Sequence, residues 1–229
     1  MTTKSTPNTE IEETFAEAFS MRFTRLIVTA IDAYWLDAAV REFCGYGSSV
    51  IQCDAETGLE YHLEPASTPD GRPGAALLVF GFDDAKLTQA VQQRTGQCLM
   101  TCPTTAVFNG LPEMESKAPL GDHLKYFGDG YQKSKQVGGR RFWRIPVMDG
   151  EFLVEDQIGI GSGIGGGNFL VQSRDQASGL EAVRRSTSAI GQSPGVIMPF
   201  PGGVVRSGSK VGSKYDGLVA STSDRHCPS

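Results

Sequence analysis

The chain has 229 residues, of which 39% are apolar and 21% charged, a composition typical of one large or two small globular domains with a substantial core. Its net charge of -5 and sequence pI near 5.3 argue against nucleic-acid binding, because no basic stripe is available to neutralise phosphates. The longest run without a charged residue, 186–205, is interrupted by prolines and glycines, so the sequence predicts no membrane span.

The cysteines and the N-terminus favour a reduced, cytoplasmic protein. The first ten residues, M-T-T-K-S-T-P-N-T-E, lack the apolar stretch of a secretory signal. The five cysteines form no C-x-x-C pair and have no histidine at metal-ligand spacing, so no metal site is expected. We therefore expect reduced, structural thiols in a cytoplasmic protein.

Residues 25–101 are predicted to form a split β-α-β, or ferredoxin-like, unit. Short apolar runs predict strands, and periodic apolar residues behind Asp32 and behind Asp83 or Asp84 predict capped helices. The predicted strands are 25–30, 49–53, 75–80 and 98–101, and the predicted helices span 32–43 and 83–95. Two helices on one face of a sheet leave the other face to be covered by a second lobe or another subunit. An additional amphipathic helix is predicted for 11–19, where Phe15 and Phe19 are four residues apart.

A second lobe is predicted to begin near residue 150. A hairpin is expected from 142–147 and 151–157 across Asp149 and Gly150. The pattern then restarts with a strand at 168–172, a helix capped by Asp175 and a strand at 196–199. The sequence thus predicts an α+β protein with an N-terminal lobe, 1–149, and a partial C-terminal lobe, 150–229. Because the second half of a ferredoxin-like unit is missing, the folding unit is expected to continue past Ser229.

Six glycines lie between 159 and 167, and this run is interpreted as the seam between the lobes and one wall of a substrate cleft. Gly161-x-Gly163-x-x-Gly166 matches the dinucleotide fingerprint, but that motif needs a helix directly after the glycines, where this sequence predicts a strand. The S-x-x-K pair Ser207 and Lys210 lies among glycines that disfavour the helix its chemistry needs.

The remaining polar features are distributed over several loops. Glu155 and Asp156 precede the glycine run, an aromatic loop spans 127–131, and a rigid turn spans 199–203. The carboxylates could simply be solvated, and the glycines could simply turn the chain. Clustered around one seam, however, such loops favour a cleft for a large, polar, partly anionic ligand, with backbone N–H groups that could hold an oxyanion.

Motifs along nearly the whole chain resemble formylmethanofuran–tetrahydromethanopterin formyltransferase. They are T-F-A-E-A-F (14–19), T-P-D-G-R-P-G (68–74), G-Q-C-x-M-T-x-P-T (96–104), F-G-D-G-Y-Q (127–132), G-E-F-x-V-E-D (150–156), G-G-N-F (166–169), P-F-P-G-G (199–203) and S-K-V-G-S-K (209–214). The small net charge of this chain is closer to that expected for the bacterial, methylotroph-type version of the family. In that version the protein joins a larger formyltransferase/hydrolase complex. The resemblance implies two ferredoxin-like lobes, a homotetramer, and formyl transfer between methanofuran and N5 of tetrahydromethanopterin, without a metal or prosthetic group.

The resemblance gives substrate-cleft residues but no catalytic acid. The family's proposed catalytic glutamate falls beyond the position of Ser229, and no residue here matches it. The expected substrate-binding residues are Phe127, Asp129, Tyr131, Glu155, Asp156, Gly166, Asn168, Pro201, Gly202, Gly203, Ser209, Lys210, Ser213 and Lys214. The alternative reading is a non-catalytic coenzyme-binding or scaffold subunit of the same kind of complex.

Overall fold

The computed structural model of the chain describes residues 3–6, 9–12, 18–206 and 209–227. The strands are β1 (Thr3–Thr6), β2 (Thr9–Glu12), β3 (Phe19–Thr29), β4 (Glu56–Leu63), β5 (Gly74–Gly81), β6 (Ala106–Asn109), β7 (Lys117–Pro119), β8 (Lys133–Val137), β9 (Arg140–Val147), β10 (Gly150–Glu155), β11 (Gln157–Gly159), β12 (Gly161–Gly165), β13 (Ser209–Val211) and β14 (Ala220–Thr222). The α-helices are α1 (Ala33–Cys44), α2 (Asp84–Arg94), α3 (Gly121–Leu124) and α4 (Gln176–Ile190). The predicted α+β class is confirmed.

The first lobe has the ferredoxin-like strand order. The sheet runs β4-β5-β3-β6, all antiparallel, with α1 and α2 as the two connections of the split β-α-β unit. On its far side β6 pairs in parallel with β10, and β9 and β8 continue the sheet as an antiparallel meander. The predicted hairpin around Asp149 is confirmed, because β9 and β10 pair with Val147 opposite Gly150.

The two long helices of the first lobe begin at capping aspartates, as predicted. Asp32 accepts a hydrogen bond from the Trp35 N–H at 3.1 Å, and Asp83 accepts one from the Lys86 N–H at 2.8 Å. Their apolar faces pack on one side of the sheet and form the main core. Its buried members include Leu36, Val40 and Phe43 of α1, Leu87 and Val91 of α2, and Leu26, Val28, Leu77 and Val79 of the sheet.

The opposite face of the sheet is covered in part by the second lobe. Met21, Leu78 and Phe80 form a small apolar cluster there, and Ile197 packs against it. Ile197 follows α4 in the chain, so the cover that the antiparallel sheet requires comes partly from residues after 150.

Two predicted strands of the first lobe are wrong because local hydrogen bonds close them into turns. In 49–53, the Ser49 carbonyl accepts from the N–H groups of Gln52 at 3.1 Å and Cys53 at 2.8 Å. In 98–101, the helix continues past Gly96 as a π-helical turn, Thr95–Leu99, in which the Met100 N–H bonds the Thr95 carbonyl at 2.8 Å. The strands that complete the unit are β4 and β6, both later in the sequence.

The amphipathic helix predicted for 11–19 is also wrong where the structure describes it. Glu12 ends strand β2 and Phe19 begins strand β3, while Phe15 lies outside the described residues. Pairing of β3 with strands on both of its sides therefore overrides the helical spacing of the phenylalanines at its start.

In the second lobe the helix prediction is confirmed and both strand predictions are wrong. Asp175 caps α4 through the Ser178 N–H at 2.8 Å, and Gly191 ends the helix. Residues 168–172 and 196–199 are irregular, since an apolar run becomes a strand only where a partner strand is in reach. No residue of α4 is fully buried, and Leu180 is 47% exposed.

Across the described ranges, each helix is either too short or too polar to cross a bilayer.

Candidate functional site

The glycine run of the sequence forms a strand. Residues 161–165 constitute β12, which pairs antiparallel with β3 from Phe19 to Phe23. A Cβ at Gly161 would lie 2.7 Å from the Phe23 ring, and one at Gly165 would lie 2.1 Å from the Met21 sulfur. Side chains of this chain thus approach the glycine backbone and require the absence of Cβ. The residues directly after β12 are irregular, so the helix that a dinucleotide fingerprint needs after its glycines is not formed there.

Glu155 ends β10 and lies in a buried hydrogen-bond network. The side chain of Arg140 binds it with two nitrogens, with Nε 2.7 Å from Oε1, and the Asn109 N–H donates to Oε2 at 2.7 Å. The Asn109 side-chain oxygen accepts from the N–H groups of Gly159 at 3.0 Å and Leu111 at 2.9 Å. The Glu155 carboxylate raises the pKa of Arg140 above its ordinary value, against the opposing effect of burial. The network fastens β6, β10 and β11 to one another.

Asp156, the next residue, is directed toward a different neighbour. Its carboxylate accepts a hydrogen bond from the Trp143 indole N–H at 2.5 Å. Its backbone carbonyl accepts from the N–H groups of Leu120 at 2.9 Å and Asp122 at 3.3 Å, at the start of α3. The ammonium of Lys125 lies 4.8 Å from the Trp143 ring centroid. Asp156 is thereby linked to the segment that carries the aromatic loop.

The aromatic loop, 127–131, and the preceding Tyr126 present three rings to solvent. Tyr126, Phe127 and Tyr131 are 73%, 66% and 78% exposed. Asp129 has a left-handed backbone, with φ of 49°, and its N–H bonds the Tyr126 carbonyl at 3.1 Å. The hydrogen-bonded turn thus leaves the aromatic surface of three rings accessible to solvent.

A cavity of about 310 Å³ lies between β4 and the chain that follows α4. It is lined by Cys44, Thr57, Gly58, Leu59, Glu60, Gly191, Val196, Ile197, Met198, Pro199, Gly202 and Gly203. The lining is mostly apolar, as in sites for small molecules. Burial raises the pKa of the Cys44 thiol to about 12, so this thiol stays protonated at neutral pH.

The P-F-P-G-G turn forms one end of this cavity. Residues Pro201–Gly203 make a short 3-10 turn closed by a 2.7 Å hydrogen bond from the Gly203 N–H to the Phe200 carbonyl. Gly202 and Gly203 have φ of 64° and 76°, values that side chains rarely adopt. Two of the predicted binding residues therefore line the cavity, and Pro201 adjoins them.

The other predicted residues lie elsewhere. Asn168 donates to the Gly166 carbonyl at 3.1 Å, beside the Phe19 ring. Ser209 belongs to the hairpin of β13 and β14, and Lys210 of that hairpin lies 3.6 Å from Asp224. Ser213 accepts from the Tyr215 N–H at 3.1 Å, and the Lys214 ammonium lies 5.6 Å from the Tyr215 ring. Ser207, the other residue of the S-x-x-K pair, lies outside the described residues.

Two sets of polar and charged residues that organise the site were not predicted from the sequence. Arg140 and Asn109 hold Glu155, while Arg25 and Glu60 form a second buried pair with bonds of 2.6 and 2.8 Å. A sequence signal existed only for Arg25, a charged residue directly before the apolar run 26–28, whereas the burial of Glu60 at 9% exposure is visible only in the structure. Within the described ranges, no group of three His, Cys, Asp or Glu residues is arranged to hold a metal ion.

Glu56, at the start of β4, gives a pH-dependent prediction. Burial raises the pKa of its carboxyl above 4.5, against a weak opposing hydrogen bond from the Val50 N–H at 3.4 Å. A raised folded-state pKa means that the folded protein holds the proton longer, so stability falls as pH rises from about 4.5 through the raised pKa. We expect Glu56→Gln to unfold at a higher temperature than wild type at pH 7 and at the same temperature at pH 3. Equal melting temperatures at both pH values would contradict this prediction.

Comparison with known proteins places both lobes in one family. The family profile described as formylmethanofuran-tetrahydromethanopterin formyltransferase matches residues 5–147, and its proximal-lobe profile matches residues 150–229. The enzyme of that name from Methylococcus capsulatus is 53% identical over 95% of this chain and 73% of its own length. The one from Archaeoglobus fulgidus is 48% identical over 96% of this chain and 74% of its own length.

Two solved structures agree closely with the fold. The formyltransferase/hydrolase complex of Methylorubrum extorquens, solved with methylofuran, matches with a TM-score of 0.95 and 45% identity over 99% of this chain and 75% of that chain. The formyltransferase of Methanosarcina barkeri matches with a TM-score of 0.89 and 44% identity, over 95% of this chain and 73% of that chain. The chain belongs to the formylmethanofuran–tetrahydromethanopterin formyltransferase family.

Proposed function

We propose that this chain transfers a formyl group between formylmethanofuran and N5 of tetrahydromethanopterin. The observation that carries the proposal is the family match across both lobes, together with identities near 50% to enzymes of that name. Neither coenzyme is a resident cofactor in this scheme, because both are substrates that bind and leave. The complex solved with methylofuran supports this reading for one of them.

The proposed reaction is acyl transfer between two amines. The acceptor nitrogen attacks the formamide carbonyl carbon, a new C–N bond forms, and the carbonyl oxygen of the tetrahedral intermediate carries the negative charge. Collapse breaks the original C–N bond, and the departing nitrogen takes up the proton that the acceptor nitrogen releases. Such a reaction chiefly requires aligned substrates and donors that stabilise the oxyanion.

The substrate-binding residues of this proposal come from four places. Phe127 and Tyr131 supply exposed rings for stacking, with Asp129 between them in sequence, and Asp156 is bonded to Trp143. Pro201, Gly202 and Gly203 border the cavity. The set is completed directly after the glycine strand and in the C-terminal hairpin, by Gly166, Asn168, Ser209, Lys210, Ser213 and Lys214. Glu155 contributes to the proposed set indirectly. Because its carboxylate is bonded to Arg140, it fixes the backbone next to Asp156.

Three further assignments belong to the same proposal. We divide the chain into lobes at 1–149 and 150–229, a boundary that falls in the turn between β9 and β10. We assign a homotetramer, within a larger formyltransferase/hydrolase complex of the kind solved from Methylorubrum extorquens. We assign a cytoplasmic location, which the five free cysteines support.

Turnover with purified coenzymes tests the function. The formation of formyltetrahydromethanopterin is followed by absorbance, with binding of each coenzyme measured in parallel. Turnover supports the transferase, and tight binding without turnover supports the non-catalytic subunit. A protein that neither binds nor converts either coenzyme refutes both.

Filling the cavity tests its part in substrate binding. Leu59 lines the cavity and is 37% exposed, so Leu59→Trp adds volume there without disturbing the core. We expect KM for one coenzyme to rise about tenfold or more with a small change in kcat, because the variant removes binding shared by ground and transition states. The matched control is Tyr61→Trp, at a 41% exposed position of β4 outside the cavity lining. Equal KM values in the two variants would exclude the cavity as a coenzyme site.

A further inference from the structure

Glu60 joins the two lobes through a single buried carboxylate. Its side chain is 1% exposed, and Arg25 of β3 donates to it from Nε at 2.6 Å and from a terminal nitrogen at 2.8 Å. The oxygen that accepts the second of these bonds also accepts the backbone N–H of Gly195 at 2.6 Å. One carboxylate of the first lobe therefore holds both a strand of its own sheet and a loop of the second lobe.

The loop that Glu60 holds is the wall of the cavity. Gly195 has φ of 77° and is followed directly by Val196, Ile197, Met198 and Pro199, which line the cavity together with Gly202 and Gly203. Ile197 lies so close to β4 that a Cβ on Gly58 would come within 2.9 Å of it. The hydrogen bond at Gly195 and the contact at Ile197 thus fasten one end of segment 195–203 to the sheet.

We infer that Glu60 is a positioning residue for the reaction, which holds segment 195–203 across β4 and keeps the cavity in its binding shape. The inference rests on the proposed function, because it assumes that the cavity receives one of the two coenzymes. Glu60 is itself part of the cavity lining, and in this scheme it acts through the Gly195 N–H rather than at the reacting atoms. Without that bond, segment 195–203 lies in the binding-competent position in only a fraction of the molecules. The apparent affinity for the coenzyme is then reduced by that fraction.

A purely structural role for Glu60 predicts a different outcome of substitution. In that case the carboxylate only neutralises Arg25, and replacing the pair by apolar side chains of similar volume leaves function unchanged. Such replacements of buried ion pairs are often neutral or stabilising, whereas removal of one partner leaves a buried charge. Both charges must therefore be removed together before the bond to Gly195 can be judged.

Two double variants isolate this bond. Arg25→Met/Glu60→Gln keeps an amide oxygen that can accept from the Gly195 N–H, and Arg25→Met/Glu60→Met does not. The two proteins carry the same charge and nearly the same side-chain volume at these positions. Glu151→Gln, which alters an ion pair between half-exposed side chains in the β9–β10 hairpin, controls for loss of a carboxylate elsewhere.

The readouts are hydrogen exchange in a peptide covering residue 195 and the kinetic constants for each coenzyme. In Arg25→Met/Glu60→Met we expect exchange at the Gly195 amide to accelerate about tenfold, and KM for one coenzyme to rise by a similar factor while kcat stays within about twofold. Arg25→Met/Glu60→Gln and Glu151→Gln are expected to remain near wild type in both readouts.

Equal KM values in the two double variants would overturn the positioning role, as would unchanged exchange at Gly195 in Arg25→Met/Glu60→Met. A failure of the proposed function is distinguishable, because in that case the wild-type protein itself converts neither coenzyme. In that outcome the positioning role falls as well, and the exchange data report only on the attachment of the loop.

Discussion

Replacement of Arg140 by alanine is expected to lower the free energy of unfolding by about 2–3 kcal/mol, less than for a fully buried ion pair because the Arg140 side chain is 35% exposed. Glu155 is 4% exposed, and in the variant its carboxylate keeps the Asn109 N–H but loses the guanidinium. The unpaired charge then stays in a low-dielectric interior at a junction of three strands. Chemical denaturation of wild type and variant at pH 7 measures the difference.

Arg144→Ala is the matched control for this experiment. Arg144 lies on the same strand and pairs with Glu151, but both side chains are accessible, at 49% and 39%. Exposed pairs contribute little, so the control is expected to lose less than about 1 kcal/mol. If the two variants lost equal stability, the Glu155 network would have no special part in holding β6, β10 and β11 together.

Gly159→Ala is expected to destabilise the protein by about 3 kcal/mol or more, at the upper end of the effects of overpacking. A Cβ at this position would lie 2.1 Å from the Leu111 carbonyl oxygen and 2.9 Å from the Leu111 Cβ. A backbone carbonyl cannot rotate away as a flexible side chain can, so β11 must shift. The shift also disturbs the bonds that Gly159 makes to the Asn109 side chain and to the Thr24 hydroxyl, at 3.0 and 2.7 Å.

The same substitution eight residues later provides the comparison. A Cβ at Gly167 has no heavy atom within 4 Å, and Gly167 has an ordinary backbone, so Gly167→Ala is expected to leave the melting temperature within a few degrees of wild type. A stable Gly159→Ala protein would contradict this prediction, as would a Gly167→Ala protein that is equally destabilised. Either result would show that the close approach of neighbouring atoms does not explain the glycines of this run.

The features predicted correctly are those that local sequence determines. An aspartate side chain reaches a backbone N–H three residues later, so Asp32, Asp83 and Asp175 mark helix starts without knowledge of the rest of the fold. The turn at Asp149 and Gly150 likewise brings two adjacent strands together. The ferredoxin-like unit was recoverable although two of its four strands were misplaced, because its order of elements depends on the helices between them.

The features that were missed depend on partners distant in sequence. The glycine strand β12 lacks the alternation that marks a strand, and only its pairing with β3 gives it that conformation. Residues 168–172 have the apolar side chains of a strand, yet they are irregular. The same limit applies to the site, where Glu155 and Asp156 are neighbours in sequence but bind Arg140 and Trp143 respectively. The pairing of Glu60 with Gly195, 135 residues away, leaves no local pattern at all.

The pairing of β12 with β3 also determines the order in which the protein can fold during synthesis. Arg22 of β3 and Ser162 of β12 are bonded neighbours separated by 140 residues. At a translation rate of about 5–20 residues per second, the ribosome needs roughly 7–28 seconds to make the intervening chain. For that time the N-terminal half of β3 has an edge that lacks its final partner, and unpaired edges are sites of aggregation. The first half of β3 is therefore expected to need chaperone protection in the nascent chain until the glycine strand emerges.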